Sequence, residues 1–339
     1  MIDSKSTSFV IRAPNWIGDA VMAEPIFGLL KEEYPESKIC CLASPAICEI
    51  YQNHPHIDSF LPFLRSKKEK KKEAKRIRQV LKKSSFDIGL LLTGSFSSAL
   101  QFYQAKISRR IGFATHWRSL FLTDAVEDEL TDHLVQSYKR LLMPLGISAG
   151  NEAPKLYLSE EEKTAAEKTL AECHLDKESF LIGLNPGAAY GMAKCWPKEN
   201  YAALAQKLLE DKKFHLLFFG DKSSKEFIDS ICPQNNPRVH NFAGKTNLRQ
   251  LAALIHATDL FITNDSGPMH IAQSLDTPIV AIFGSTNPSR TGPFNCHDSV
   301  IYKQVSCSPC YLRACPIDFR CMKSISVDDV CSTIYSKLL

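Results

Sequence analysis

"DLFITNDSGPMHIAQSLDTPIVAIFG", residues 259–284, holds the plan of the fold in miniature. An apolar run, DLFITND (259–265), stops at an acid, a hydroxyl, a glycine and a proline. A helical pattern follows near 268–275, and a second apolar run, TPIVAIFG, fills 277–284. Two apolar stretches of strand length flanking a helix are the signature of a βαβ unit, whose parallel strands are buried on both faces. Pro268 falls in the first helical turn, where its missing N–H costs no hydrogen bond. The turn is therefore expected to leave the N–H groups of Ser266, Gly267 and Met269 free at the positive end of a helix dipole, which suits a diphosphate. Asp265, itself negative, is expected to accept hydrogen bonds from sugar hydroxyls. A plainer reading of the same residues has Asp265 or Ser266 capping the helix and His270 packing.

The alternation continues outward in both directions. Strands are expected at 8–13, 38–43, 57–63 and 86–93 in the first half, and at 180–187 and 214–220 ahead of the quoted unit. Helices are expected near 20–33, 44–53 and 68–83, then near 197–212, 224–231 and 247–256. Between the two series lies LSEEEKTAAEKTLAECHLDKES (158–179), a polar helix read as a linker. This predicts an α/β chain of two doubly wound domains, 1–157 and 180–339, with ligands at the strand C-terminal edges. A length of 339 residues agrees, since one hydrophobic core seldom grows that large.

Bulk composition excludes more than it assigns. A hydrophobic fraction of 44% and a charged fraction of 23% are those of an ordinary globular protein. No apolar stretch approaches the ~18–20 residues that cross a bilayer, and the N-terminus lacks a secretory pattern, so a cytoplasmic location is expected. The net charge of +4 is too small to argue for nucleic acid, but residues 65–83 hold eleven Lys or Arg against two Glu. That run reads both as a solvated helix with Ile77, Val80 and Leu81 inward, and as an electropositive surface for an anionic acceptor or membrane face.

Two further stretches carry candidate chemistry. In RAPNWIGDAVMAEPI (12–26) a strand gives way to a turn on Pro14, Asn15 and Gly18, and Asp19 opens a helix. Asp19 reads either as an N-cap or as a carboxylate placed to remove a proton from a substrate hydroxyl. In NPGAAYGMAKCWP (185–197) a strand empties into a glycine-rich loop, where Lys194 reads as a phosphate ligand or a solvated lysine, and Trp196 as a packed aromatic. Neither GxxxxGK[ST] nor a strand-borne GxGxxG occurs, which argues against a P-loop hydrolase and a dinucleotide dehydrogenase.

Of twelve cysteines, Cys307, Cys310, Cys315 and Cys321 stand in the spacing C-x2-C-x4-C-x5-C. Four thiols so close together in a reducing compartment fit a tetrahedral zinc or iron site better than disulfides, with free structural thiols and redox chemistry as the other readings.

Taken in order, RAPNWIGDAVMAEPI, LTGSFSSAL (92–100), RRIGF (109–113), NPGAAYGMAKCWP and TNDSGPMHIAQSLDTPIVAIFGSTNP (263–288) resemble the ADP-heptose:lipopolysaccharide heptosyltransferases of glycosyltransferase family 9, in particular the type II branch. The resemblance implies a GT-B fold of two Rossmann-like domains facing across a cleft, the first binding the acceptor and the second the ADP-sugar. It implies inverting transfer of L-glycero-D-manno-heptose from ADP-heptose to a heptose/Kdo acceptor of the lipopolysaccharide inner core, with no cofactor needed for catalysis. Asp19 becomes the general base and Lys194 the phosphate ligand. Glu226, Thr246, Asp265, Ser266, Gly267, Met269 and His270 become donor contacts, and Asn15, Ser95, Ser97 and Arg110 the expected acceptor contacts. The partners implied are ADP-heptose, an anionic lipid A-core acceptor and, peripherally, the inner face of the cytoplasmic membrane. Ala188, Ala189 and Tyr190 stand where some relatives carry paired hydroxyls, a departure shared with the type II enzymes that leaves these three positions without the paired-hydroxyl contacts to phosphate. Transfer to a protein or another glycan, and a non-catalytic nucleotide-sugar or metal-sensing module, remain as other readings.

Overall fold

The computed structural model describes residues 7–64, 68–175 and 178–338. The chain divides into two units, Met1–Tyr157 and Leu158–Leu339. In the first, strands β1 (Ser8–Arg12), β2 (Lys38–Ala43), β3 (Ser59–Pro62), β4 (Ile88–Leu91), β5 (Arg109–Phe113) and β6 (Asp124–Val126) form a parallel sheet in the order β3-β2-β1-β4-β5-β6. Val10 stands opposite Cys40 on one side and Gly89 on the other. Because β1 and β4 neighbour each other yet run to opposite halves of the sheet, the chain reverses direction between them, and a crevice opens at their C-terminal ends.

Helices α1 (Ile17–Ala23), α2 (Pro25–Glu33), α3 (Pro45–Ile50), α4 (Lys70–Ser84), α5 (Phe96–Gln104) and α6 (Leu134–Arg140) cover this sheet, with a 3-10 turn at His116–Phe121. The helix expected at 20–33 is two helices, because Pro25 cannot donate to the preceding turn and instead starts α2 at a position that needs no donor. The junction residue, Glu24, is buried but fully used: its carboxylate accepts the Lys155 N–H at 2.8 Å and pairs with His54 Nε2 at 2.7 Å. His54 Nδ1 accepts the His56 N–H at 3.1 Å, which fixes the ring proton on Nε2, facing Glu24. On the opposite face, Ile77 and Leu81 of α4 and Phe102 of α5 pack with Val10, Leu42 and Leu91 of the sheet. Gly89 is required there, since a Cβ would lie 2.5 Å from the Phe102 ring.

The second unit repeats the architecture. Strands β7 (Phe180–Asn185), β8 (Phe214–Phe218), β9 (Val239–Asn241), β10 (Leu260–Asn264), β11 (Ile279–Phe283) and β12 (Val300–Tyr302) are parallel in the order β12-β11-β10-β7-β8-β9, so the switch point lies between β7 and β10. Helices α7 (Glu160–Ala171), α8 (Lys198–Leu208), α9 (Lys225–Asp229), α10 (Leu248–His256) and α11 (Gly267–Ser274) precede a C-terminal helix, Val327–Leu338. Every residue of β8, β10 and β11 is buried, as parallel strands covered on both faces demand.

The polar segment 158–179, expected as a linker, is α7, which belongs to the second unit and packs on α10. Its start is a capping box: Ser159 Oγ accepts the Glu162 N–H while the Glu162 carboxylate accepts the Ser159 N–H. The same carboxylate takes a two-pronged contact from Arg249 of α10, at 2.7 and 2.6 Å. Residues 176–177 of that segment, and 65–67 of the basic run, lie outside the described residues. No helix among the described residues is long and apolar enough to cross a membrane.

Candidate functional site

In the second unit, chemistry collects where β7 and β10 end. Asn185, the last residue of β7, directs Nδ2 toward Thr263 Oγ1 (3.1 Å), Ser266 Oγ (3.2 Å) and the Gly187 carbonyl (3.3 Å). Asn264, the last residue of β10, answers from the other side: its Nδ2 donates to the Pro186 carbonyl at 2.6 Å, and its Oδ1 accepts from the Trp196 N–H and the Tyr201 hydroxyl. Both amides are buried, so each lost partner would leave an unsatisfied group at a cost of about 1–3 kcal/mol. This lattice fixes the two strand-to-helix turns against each other. Trp196 is the packed aromatic expected, 1% exposed, with Nε1 donating to the Ile325 carbonyl at 2.9 Å.

Lys194 does not stand in solvent. Its ammonium forms an ion pair with Asp265, whose Oδ2 also accepts the Thr286 hydroxyl at 2.6 Å. Asp265 is 4% exposed, and the Lys194 ammonium also sits 4.9 Å from the centre of the Tyr190 ring. The pair brings a cation from the first turn and an anion from the second into one place. It also shows that Asp265 engages Lys194 directly.

The start of α11 differs in one respect from expectation. The Met269 N–H is spent on the Ser266 carbonyl at 3.2 Å and the Met269 side chain is fully buried, so Met269 is not a free donor. Ser266 and Gly267 supply the helix-start donors, and Ser266 Oγ, occupied by Asn185 and Thr263, does not cap the helix. His270 is buried in the same helix. Thr246 is half-buried on the loop after β9, and Glu226 is exposed in the first turn of α9, which follows the β8 loop. Those loops touch, with the Gly244 N–H donating to the Gly220 carbonyl at 2.9 Å, and the β8 loop reaches the glycine-rich turn through Ser224, 3.1 Å from where a Gly187 Cβ would stand.

The cysteine-rich segment closes over the same turn. The Arg313 carbonyl accepts the Ala193 N–H at 3.1 Å, and the Tyr190 hydroxyl donates to the Tyr311 carbonyl at 2.8 Å. Gly191 has φ +152°, and a Cβ there would lie 2.3 Å from the Arg313 carbonyl oxygen, so only glycine fits. The metal site expected at Cys307, Cys310, Cys315 and Cys321 is not formed. Among the described residues no three His, Cys, Asp or Glu side chains gather as ligands for an ion. Cys307 and Cys310 are exposed, Cys315 half-buried and Cys321 buried, and backbone hydrogen bonds hold the segment instead: the N–H groups of Cys310 and Tyr311 both donate to the Ser285 carbonyl. Backbone donors at Ile317, Phe319 and Asp318 lower the pKa of Cys315, with the Phe319 N–H 3.2 Å from its sulfur.

In the first unit, Asn15 and Asp19 follow β1, and Ser95 and Ser97 follow β4, so four expected residues meet the switch point. Asp19 is half-buried in the first turn of α1, whose N-cap is Trp16; Asp19 is thus not the cap. Asn15 Oδ1 accepts from Arg12 Nη2 at 3.1 Å. Ser95 caps α5 and hydrogen-bonds Ser98, whereas Ser97 is exposed.

Arg110 is not brought there. It is the second residue of β5, near the N-terminal end of the strand, and its guanidinium is consumed by the Phe121, Ile107 and Ser108 carbonyls. Arg109 beside it pairs with Asp124. The arginine that does approach the β4–α5 turn is Arg118, which the sequence reading passed over. It is 0% exposed, and Nη1 donates to the Thr93 carbonyl. Its Nε and Nη2 have no protein partner, and Nη2 would stand 2.8 Å from a Cβ at Gly112. Burial lowers its pKa to about 10, so it remains a cation at neutral pH. A buried guanidinium with two unspent donors is costly unless an anion meets it.

A sequence profile of glycosyltransferase family 9 (heptosyltransferase) matches residues 74–319. The chain belongs to glycosyltransferase family 9. It is 31% identical to lipopolysaccharide heptosyltransferase 2 of Salmonella typhimurium over 301 residues, 84% of this chain and 85% of that one. It is 28% identical to lipooligosaccharide heptosyltransferase 2 of Campylobacter jejuni, over 96% of this chain and 97% of the relative. Among solved structures, ADP-heptose lps heptosyltransferase II of E. coli superposes with a TM-score of 0.82 at 26% identity, covering 98% of both chains. A family 9 glycosyltransferase from Veillonella parvula gives 0.85 at 22% identity, covering 98% of this chain and 97% of that one, and supports the fold. This family 9 glycosyltransferase therefore has the expected GT-B class of two Rossmann-like domains.

Proposed function

We propose that this glycosyltransferase moves L-glycero-D-manno-heptose from ADP-heptose to a heptose/Kdo acceptor of the lipopolysaccharide inner core, with inversion at the anomeric carbon. The single observation that carries the reading is the Lys194–Asp265 pair at the β7/β10 switch point, beside the Ser266 and Gly267 donors that begin α11. A cation and helix-start N–H groups together meet the charge that grows on the β-phosphate as the glycosidic bond to ADP breaks. Asp265, freed as Lys194 turns to the phosphate, would accept hydrogen bonds from heptose hydroxyls. Glu226, at the start of α9, and Thr246, on the loop after β9, would flank the nucleoside. Asp19 would take the proton of the attacking hydroxyl, and the new bond forms on the face opposite the departing ADP. Protein groups meet the leaving-group charge in this reading, so no metal step is needed. The domain roles follow, with the acceptor on residues 1–157 and the ADP-sugar on residues 180–339.

Arg118 supplies what the acceptor reading lacked, a buried cation for a sugar carboxylate or phosphate, with the start of α5 beside it. Arg118→Met should raise the KM for an anionic acceptor roughly tenfold or more, the worth of a charge-assisted hydrogen bond of about 1.5–3 kcal/mol. Thermal stability should hold or rise, since an unpaired buried charge is removed. A lowered melting temperature with unchanged KM would make Arg118 purely structural.

The reaction is tested by incubating the protein with ADP-heptose and a truncated core acceptor, following ADP release and acceptor mass. One heptose gained per ADP released is expected; ADP formed without a heavier acceptor would refute the transfer.

A further inference from the structure

Residues 307–321 are held against the donor turns more closely than a surface connection requires. The segment enters through Ser308, whose hydroxyl donates to the Gly284 carbonyl, and through the N–H groups of Cys310 and Tyr311, which share the Ser285 carbonyl at 3.1 and 2.8 Å. Gly284 and Ser285 follow β11, and the next residue, Thr286, is the one whose hydroxyl holds Asp265. The segment then crosses to the turn after β7, where the Tyr311 and Arg313 carbonyls accept from the Tyr190 hydroxyl and the Ala193 N–H. One stretch of backbone thus ties the turn that carries Lys194 to the loop that holds Asp265. Gly191 serves this tie: the atoms nearest to where its Cβ would stand all belong to the Arg313 main chain.

The tie delivers a second cation. The Ala193 hydrogen bond fixes the Arg313 main chain beside the residue that precedes Lys194. The Arg313 guanidinium carbon lies 5.1 Å from the centre of the half-buried Tyr190 ring, and the Lys194 ammonium lies 4.9 Å from the centre of the same ring. Two like charges beside one ring repel each other, and the weak attraction of an aromatic face does little to offset that. The arrangement becomes favourable once an anion of more than one charge lies beside both. The other arginine of the segment, Arg320, is engaged with Asp318, and Lys194 with Asp265. When Lys194 turns to phosphate, a sugar-linked diphosphate still carries more negative charge than one ammonium balances, and the excess grows as ADP departs.

We propose that Arg313 is a diphosphate-binding residue, whose guanidinium turns from the Tyr190 ring onto the phosphates of the bound nucleotide sugar beside Lys194. An arginine suits the position, because its planar fork meets two phosphate oxygens at once where an ammonium acts as a point charge. Residues 307–321 are then a working part of the donor site, and Gly191 is the residue that lets them reach it. The inference deepens the proposed function and rests on it, since it takes a nucleoside diphosphate as the ligand of the β7 and β10 turns.

The test is a calorimetric titration of the full chain with ADP at low and high salt, on the wild-type protein and on Arg313→Met, with the melting temperature of each. Methionine keeps an unbranched stem and removes the charge. At low salt the variant is expected to bind ADP roughly tenfold or more weakly than wild type, the loss of a charge-assisted hydrogen bond. Its melting temperature should stay close to wild type, because Arg313 is exposed. At high salt the two affinities should draw together, since screening weakens what the charge contributes. Equal ADP affinity of the two proteins at low salt would show that Arg313 stays with Tyr190. A gap that persists unchanged at high salt would show that Arg313 only props the turn. Either result overturns the proposal, and ADP binding by the wild-type protein leaves the proposed function standing in both. Wild-type protein that binds no ADP would instead sink the proposed function, and this inference with it.

Discussion

Asp19→Asn is expected to lower the transfer rate by roughly 10²–10⁴-fold while leaving ADP affinity within about twofold of wild type. The amide keeps the shape of the carboxylate but cannot hold a proton at neutral pH. Asp19 lies in the first turn of α1 and is half-buried, whereas every group assigned to the diphosphate belongs to the second unit. The variant should therefore separate proton removal from donor binding. Rapid-quench transfer assays with a calorimetric ADP titration measure both quantities. Transfer near the wild-type rate would remove Asp19 from the role of base, and a matching loss of ADP affinity would show a wider disturbance.

Lys194→Ala carries the second large effect, and it acts on two properties. Loss of the ammonium should cost turnover and donor affinity together, by about 3 kcal/mol in the transition state, or some hundredfold. It also leaves Asp265 buried with only the Thr286 hydroxyl, and stranding one partner of a buried pair typically costs about 3–5 kcal/mol of stability. Lys194→Ala/Asp265→Asn is the control. Neutralising the stranded carboxylate should recover much of the lost melting temperature and none of the lost ADP affinity. Recovery of ADP binding in the double variant would show that the single variant failed by unfolding and that Lys194 does not contact phosphate.

The central strands were legible because parallel strands read as continuous apolar runs: KICCLA, FLIGLN and IVAIF allow no other placement. The edge strands DAV, VHN and VIY were not, being three residues long, with Ile301 alone among them buried, and too short to show any period. Helix α5 was hidden for a related reason, since FSSALQFYQ keeps aromatic residues on both its buried and its exposed faces.

The candidate site divides the same way. Asp265 and Ser266 follow β10 directly, and Asp19 and Lys194 lie in the connections that follow β1 and β7, positions set by topology, which sequence order encodes. Met269 failed because helix-start donors were counted without the short turn that spends one of them. Arg110 failed because its position at the first end of β5 could not be told from RRIGF alone, and Arg118 was missed because burial of a lone arginine leaves no mark in sequence. The cysteines were close in sequence, but spacing does not decide whether thiols converge as ligands, and among the described residues no three of them do.

The account rests on where the diphosphate binds. A crystal structure of the protein with ADP-heptose tests it most directly. The account predicts the β-phosphate against the Lys194 ammonium and the Gly267 N–H, with Lys194 turned from Asp265 and a heptose hydroxyl in its place. A diphosphate bound elsewhere, with the Lys194–Asp265 pair intact, would contradict it.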